Sequence, residues 1–314
     1  MSPSDVLIRV EHVSRYYGAL CALRDVSFEV RRGEVLGFLG PNGAGKSTTM
    51  QIISGNLAPT RGRVWINGID ILDEPKRAKA QIGFLPELPP LYRELTVDEY
   101  LRYCARLHRI PRARENSALD IAKQRCGLVD VGRRLIGNLS KGYRQRVGVA
   151  QAIVHMPAVV ILDEPTAGLD PIQIHEMRSL IRALAAEHSV ILSTHILTEV
   201  QAICDQVQII HRGELVLKDS IEGLTRRMQG ASLRVGLRQP PALSVLEAMA
   251  GVHGVEQVED GVFRLHCSGQ EVTEWVVRQA AEQGWGLYEI SPERLSLEQI
   301  FMELTNSESA VPKC

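Results

Sequence analysis

The chain has 314 residues, of which 45% are hydrophobic, and this length suits one large domain with a smaller one. A formal net charge of −1 gives no general electrostatic reason to expect a nucleic-acid partner. The sequence lacks an apolar run long enough to span a membrane, and its first residues lack the pattern of a secretory signal. Its six cysteines have no metal-ligand spacing, which favours free thiols in the cytoplasm.

Residues 6–30 alternate between apolar and polar side chains, which predicts two strands joined by a polar turn. The apolar segment Val35–Leu39 then predicts a buried strand, and a glycine-rich loop and a helix follow it. Such a loop turns backbone N–H groups toward phosphate oxygens, while its lysine reaches the outer phosphates and its serine hydroxyl binds Mg²⁺. An ordinary glycine turn is the alternative, but it seldom lies between a strand and a helix. The candidate phosphate-binding residues are Gly40, Pro41, Asn42, Gly43, Ala44, Gly45, Lys46, Ser47 and Thr48.

The next elements are an edge strand, a short buried strand and a helical segment. Residues Gly62–Gly68 predict the edge strand, and Ile82–Leu85 predict an apolar strand that ends at Pro86-Glu87. A mostly helical stretch runs from about Thr96 to Leu135 and begins with a capping box of Thr96 and Glu99.

A second motif, Leu139-Ser140-Lys141-Gly142-Tyr143, follows this helical stretch. Ser140 is the candidate cap of a helix that begins near Lys141. The free N–H groups and the positive dipole end of such a helix favour an anion, although the chain already has its own phosphate loop.

The following segment returns to alternating strands and helices, which indicates a wound α/β core. Residues Pro157–Leu162 form a continuous apolar run that predicts a central parallel strand, and Asp163-Glu164 come directly after it. Asp170 is the expected cap of the next helix. A further strand, Val190–Thr194, is followed by His195.

The last part of the chain has a different pattern. Its elements read β-α-β-β-α-β, which predicts a small ferredoxin-like α+β domain over residues 231–305. Its sequence contains no motif that indicates chemistry. We expect the large domain to cover residues 1–224, with a helical subdomain at about 88–138, and residues 306–314 to form a disordered tail.

The order and spacing of these motifs resemble the ATP-binding-cassette (ABC) ATPases. The resemblance covers about residues 6–220 and implies an α/β P-loop cassette with an antiparallel β edge and a helical subdomain. In that family the signature Leu-Ser-Gly-Gly-Gln holds the γ-phosphate of ATP bound to the partner subunit. Here Lys141 and Tyr143 depart from the signature, whereas Ser140 and Gly142 agree with it.

The resemblance also implies roles for single residues. Tyr17 would stack on adenine, or else it packs on the sheet edge. Ser47 and Asp163 would hold Mg²⁺, and Glu164 would polarise the attacking water, whereas a plain strand-end turn is the alternative. His195 would contact the γ-phosphate, although a lone histidine is more often structural. The loop that ends at Asp170 would touch the partner subunit.

Glu87 departs from the family pattern, which usually has glutamine at this position. A carboxylate there can still bind Mg²⁺, but it adds negative charge beside the triphosphate. The segment Pro86–Tyr92 resembles ATPases of the gliding-motility (GldA-like) subfamily, and Leu295–Thr305 resembles the C-terminal extension of that subfamily and of related exporter ATPases.

The resemblance therefore implies an ATP-hydrolysing subunit that uses ATP and Mg²⁺ and drives a separate integral-membrane permease from the cytoplasmic face of the membrane. Two such subunits would sandwich two ATP molecules, and the complete set of site residues permits a homodimer. A soluble ABC ATPase that acts on ribosomes or nucleic acid is the alternative, and a module that only senses ATP is a third reading. The transported substrate and its direction are not encoded in these motifs.

Overall fold

The computed structural model describes residues 5–228, 232–267 and 271–293. The chain divides into two compact units, Met1–Ile221 and Glu222–Cys314. Within the described ranges, no helix is both long enough and apolar enough to cross a membrane.

The first sheet of the larger unit is antiparallel and begins with the two strands predicted at the start of the chain. β1 (Val6–Tyr17) pairs with β2 (Leu20–Arg31), and Val10 faces Phe28 across this pair. Both side chains are buried in the main apolar core, as the alternation of apolar residues predicts.

The prediction of an edge strand over Gly62–Gly68 is wrong. The corresponding strand lies inside the first sheet, where Asn67 and Gly68 form a tight turn with positive φ angles of 50° and 75°. This is the geometry of a two-residue hairpin, so the chain folds back at once and covers the free edge. The two strands are β4 (Arg61–Ile66) and β5 (Ile69–Asp70), and the sheet order is β2-β1-β4-β5.

The second sheet is mostly parallel, as the alternation of strands and helices predicts. Its strands are β3 (Val35–Leu39), β6 (Ile82–Leu85), β7 (Val159–Asp163), β8 (Ser189–Thr194), β9 (Gln206–His211) and β10 (Glu214–Ser220). They lie in the order β10-β9-β3-β8-β7-β6, and β10 is antiparallel to its neighbour. Every residue of β7 is buried, as expected for a central strand covered on both faces. The carboxyl ends of β3, β7 and β8 meet at one edge, and predicted site residues follow each of them.

The described residues 5–228 contain eight α-helices. They are α1 (Lys46–Ile53), α2 (Pro75–Lys79), α3 (Val97–Leu107), α4 (Arg112–Cys126), α5 (Lys141–Ile153), α6 (Pro171–Ala185), α7 (Leu197–Ile203) and α8 (Ile221–Met228). The capping box of Thr96 and Glu99 is present at the start of α3. Ser140 caps α5 and Asp170 caps α6, each by accepting a backbone N–H with its side chain.

The smaller unit has the predicted β-α-β-β-α-β order. Its elements are β11 (Ser232–Leu237), α9 (Leu243–Glu247), β12 (Val252–Glu259), β13 (Val262–Cys267), α10 (Glu271–Glu282) and β14 (Leu287–Glu293). The strands form an antiparallel sheet in the ferredoxin-like order β12-β13-β11-β14, and its apolar core includes Phe263 and Trp285. The segment Leu295–Thr305, which resembles the C-terminal extension of exporter ATPases, and the predicted tail lie outside the described residues.

Candidate active site

The glycine-rich loop lies between β3 and α1, as predicted, and its last glycine determines how closely it packs. Gly45 has a φ of 113°, and a Cβ atom there would lie 2.7 Å from Leu23 Cδ2 and 3.0 Å from Ala22 O. Any side chain at this position would therefore strain the backbone and clash with β2. The loop leads directly into α1, whose N-terminus carries a positive dipole end that favours phosphate.

Lys46, the first residue of α1, has a side chain that is only 5% exposed. Its Nζ donates hydrogen bonds to Gly40 O at 2.8 Å and to Pro41 O at 3.2 Å. The same ammonium lies 3.4 Å from Glu164 Oε1. Carbonyl oxygens and a carboxylate thus hold a buried positive charge in place, as a buried ion requires.

The end of β7 brings a carboxylate beside the first turn of α1. Ser47 Oγ lies 3.4 Å from Asp163 Oδ1, and Ser193 Oγ, from the adjacent strand β8, donates to the same carboxylate oxygen. Oxygen donors of this kind fit Mg²⁺, which is usually held by one or two carboxylates together with phosphate oxygens and water. Among the described residues, no group of three or more His, Cys, Asp and Glu side chains could hold a metal ion by itself. The donor set therefore fits a magnesium ion that shares its ligands with a nucleotide.

Glu164, the residue after β7, has a strained backbone. Its φ is 47°, in the left-handed region that a residue with a side chain seldom adopts. Its backbone N–H donates to both Ser193 O and Ser193 Oγ at 3.1 Å, and these contacts to β8 hold the unusual conformation. Strain of this kind is concentrated at functional sites in proteins.

The carboxylate of Glu164 lies between two positively charged or proton-bearing groups. Lys46 approaches one side, and His195 Nδ1 lies 3.0 Å from Oε2 and 3.1 Å from Oε1. Because an ionised carboxylate only accepts hydrogen bonds, this contact requires the proton on Nδ1 of the imidazole. The structure thus brings Lys46, Glu164 and His195 into one cluster, although they come from three separate parts of the chain.

These groups line a cavity of about 740 Å³. The predicted residues on its wall are Tyr17, Asn42, Gly43, Gly45, Lys46, Ser47, Thr48, Glu87, Glu164 and His195. Tyr17 is 45% exposed, and the Arg15 guanidinium lies 4.7 Å from the centre of its ring. One ring face is therefore engaged by a cation, and adenine stacking by Tyr17 stays a prediction.

Sequence reasoning missed several residues of this wall. They are Leu20, Cys21, Ala22, Ala167 and Arg212. Arg212 lies in the turn between β9 and β10, where the next residue, Gly213, donates its N–H to Ala44 O at 2.9 Å. No local motif marks Arg212, because the pairing of distant strands alone brings this turn to the phosphate loop.

Glu87 contributes to two adjacent cavities. It lines the 740 Å³ cavity with the phosphate loop, and it also lines a neighbouring cavity of about 370 Å³ with Lys141 and Arg144. Two residues that depart from the ABC pattern, Glu87 and Lys141, therefore line the same cavity.

The signature residues lie elsewhere. Ser140, Lys141, Gly142 and Asp170 are absent from the wall of the 740 Å³ cavity. Ser140 and Lys141 are exposed at the start of α5, and Ser140 Oγ accepts the N–H of Tyr143 at 3.3 Å. A Cβ atom built on Gly142 would lie 2.8 Å from the side chain of Gln173, so α5 begins against the start of α6.

Comparison with known proteins agrees with this geometry. A family model described as ABC transporter matches residues 23–167. The bacitracin transport ATP-binding protein BcrA of Bacillus licheniformis is 34% identical over 301 residues, which cover 95% of this chain and 97% of that protein. The daunorubicin resistance ATP-binding protein DrrA3 of Streptomyces coeruleorubidus is 31% identical over 311 residues, which cover 98% of each chain.

The fold is also similar to solved structures. The structure of cbiO1 from Clostridium perfringens, part of the ABC transporter complex cbiONQ, has 30% sequence identity and a TM-score of 0.65. That similarity covers 70% of this chain and 90% of the cbiO1 chain. With relatives that match nearly its whole length, the chain belongs to the ATP-binding proteins of ABC transporters, which bind and hydrolyse ATP.

Proposed function

We propose that ATP is hydrolysed at a composite site, made by the cavity of one subunit and the exposed start of α5 from a second subunit. The observation that carries this proposal is the separation of the two motifs within one chain. The phosphate loop, Glu164 and His195 line the cavity, whereas Ser140, Lys141, Gly142 and Asp170 do not. A second copy would supply an uncovered helix N-terminus, which favours the γ-phosphate.

Within the cavity, each residue has a separate task. Lys46 neutralises charge on the transferred phosphoryl group, and Glu164 polarises the attacking water. His195 contacts the Glu164 carboxylate through Nδ1. Its other ring nitrogen, Nε2, would face the γ-phosphate. The arrangement of Lys46 and His195 around one carboxylate supports this assignment.

Magnesium fits the oxygen donors at the end of β7. Ser47 and Asp163 would hold the ion, with Glu87 as a further ligand from the cavity wall. The ion would neutralise charge on the outer phosphates. Tyr17, which also lines the cavity, would stack on adenine.

The remaining partner is an integral-membrane permease, which would hold the subunit at the cytoplasmic face of the membrane. Similarity to cbiO1, part of a transporter complex, supports a complex of this kind. The segment Pro86–Tyr92 supports membership of the gliding-motility (GldA-like) and exporter branch, and BcrA and DrrA3, named for bacitracin transport and daunorubicin resistance, are compatible with export. We place no nucleic acid among the partners.

A detergent pull-down of the tagged chain from its own membranes tests the permease. We expect an integral-membrane protein to co-purify and to stimulate ATP turnover when both are placed in liposomes. A Lys46→Ala variant is the matched control, because it should capture the same protein but hydrolyse no ATP. Salt-sensitive binding to ribosomes or DNA, with no membrane protein captured, would contradict the proposal.

Replacing Glu87 with glutamine is expected to raise the basal ATP turnover of the isolated subunit and to weaken its stimulation by the permease. The reason is that the Glu87 carboxylate adds negative charge near the γ-phosphate, which opposes closure around ATP unless Mg²⁺ or a cationic side chain neutralises it. If Glu87 acts only as an ordinary Mg²⁺ ligand, Glu87→Gln should leave turnover within about threefold of the wild type, since an amide oxygen also binds the ion. Steady-state ATPase assays with and without the permease separate these cases. A loss of turnover to below a tenth would contradict both.

A further inference from the structure

A buried carboxylate outside the cavity connects the two loops that carry Glu164 and His195. Glu199, in α7, is 1% exposed. Its Oε1 accepts a hydrogen bond from Thr166 Oγ1 at 2.6 Å, and its Oε2 accepts one from Thr194 Oγ1 at 2.7 Å. Each carboxylate oxygen of Glu199 therefore accepts a hydrogen bond from a different segment, one after β7 and one at the end of β8.

The two threonines that Glu199 bridges lie close to Glu164 and His195 in the sequence. Thr166 follows Glu164 by two residues, and Thr194 directly precedes His195. Both threonines are buried, so their hydroxyl groups have no access to bulk water. Thr194 Oγ1 also accepts the N–H of Ile196 at 3.1 Å, which fixes the turn that contains His195.

The bridge complements the contacts already described between β7 and β8. The backbone N–H of Glu164 donates to Ser193 in β8. Glu199, in α7, joins Thr166 to Thr194, which directly follows Ser193. Glu164 is thus held on both sides.

A purely structural role would favour a different side chain at position 199. Burying a carboxyl group is costly, and two hydroxyl donors offset only part of that cost. An apolar residue of similar size would pack the same position on α7 with less loss of solvation. The carboxylate is therefore better explained by the two hydrogen bonds that it makes than by packing alone.

We propose that Glu199 is a positioning residue, which keeps Glu164 and His195 in hydrolysis-competent alignment by joining Thr166 to Thr194. The proposal rests on the roles proposed above for Glu164 and His195. Glu199 does not line the 740 Å³ cavity, so it acts through these loops and does not contact ATP.

The test uses isosteric variants of the two threonines in the full chain. Thr166→Val and Thr194→Val each remove one hydroxyl, and each should lower kcat by about fivefold to twentyfold with KM for ATP changed by less than about twofold. Either change breaks the bridge, so the double variant should lose no more than about twice as much as the worse single one. Ser189→Ala is the matched control, because it removes a buried hydroxyl from the opposite end of β8 and should leave kcat unchanged.

Variants of Glu199 itself complete the experiment. Glu199→Ala should resemble the threonine double variant, whereas Glu199→Gln, whose amide can accept from one hydroxyl and donate to the other, should recover turnover to within about threefold of the wild type. If the valine variants lower the melting temperature but leave kcat unchanged below it, Glu199 is structural only and the proposal fails. Glu164→Gln and His195→Ala are assayed in parallel. Normal turnover in both would refute the roles on which the proposal rests, whereas their inactivity beside fully active valine variants would refute the positioning role alone.

Discussion

Glu164→Gln is expected to lower ATP turnover by about 100-fold or more while ATP binding is retained. The amide keeps the shape of the side chain, and the backbone contacts of residue 164 with Ser193 are untouched. It cannot take up a proton from the attacking water, and it loses the charge that pairs with Lys46 at 3.4 Å. The phosphate loop is unchanged, so the closed dimer with ATP should accumulate. Single-turnover kinetics and size-exclusion chromatography with ATP measure the two effects.

A second Glu→Gln change separates this effect from general loss of charge. Glu187 is exposed and pairs with Arg125 away from the cavity, so Glu187→Gln should keep wild-type turnover. Near-normal turnover in Glu164→Gln would remove Glu164 from its proposed role. Loss of ATP binding in Glu164→Gln would instead point to a contribution from its ion pair with Lys46 to the shape of the loop.

Much of the fold could be predicted because its signals are local. The strand β7 is recognisable as a run of apolar residues, and the cap at Ser140 depends only on the next three residues. The position of β4 inside the sheet could not be predicted from periodicity, because β5, which covers its outer edge, has only two residues. The Asn67-Gly68 dipeptide was the available signal for that hairpin.

Some residues of the candidate site could also be predicted from local motifs, whereas others could not. The phosphate loop and the acidic pair after β7 are short motifs, and the structure places both at one edge of the parallel sheet. The wall residue Arg212 and the bridge from Thr166 through Glu199 to Thr194 depend on contacts between segments far apart in the chain. Side-chain hydrogen bonds of this kind follow from tertiary packing, so no periodicity or motif reveals them.

The departures at Glu87 and Lys141 are informative in combination. Each position taken alone changes the charge expected from the ABC pattern, and sequence spacing does not relate them. The structure places both residues on the wall of one cavity of about 370 Å³. Lys141 also extends toward the next loop, because its Nζ would lie 2.2 Å from a Cβ atom built on Gly168. The side chain of Lys141, the first residue of α5, therefore lies beside the loop that leads to α6 in the same subunit.

The composite site predicts that two inactive variants restore activity when they are mixed. A Ser140→Arg subunit keeps its phosphate loop but carries a bulky cation at the exposed start of α5. A Lys46→Ala subunit keeps its signature but loses the ammonium in its own cavity. Each variant alone should be inactive, because both of its composite sites are damaged in the same way.

In a heterodimer of the two variants, the intact loop of the first subunit faces the intact Ser140 of the second, and the other site is doubly damaged. If subunits exchange freely and the sites work independently, an equal mixture should regain about a quarter of wild-type turnover. A mixture of Lys46→Ala with Glu164→Gln is the matched control, since both changes affect the same half of the site and cannot complement each other. If each variant alone turned over ATP as a monomer, the sandwich arrangement would be wrong for this subunit.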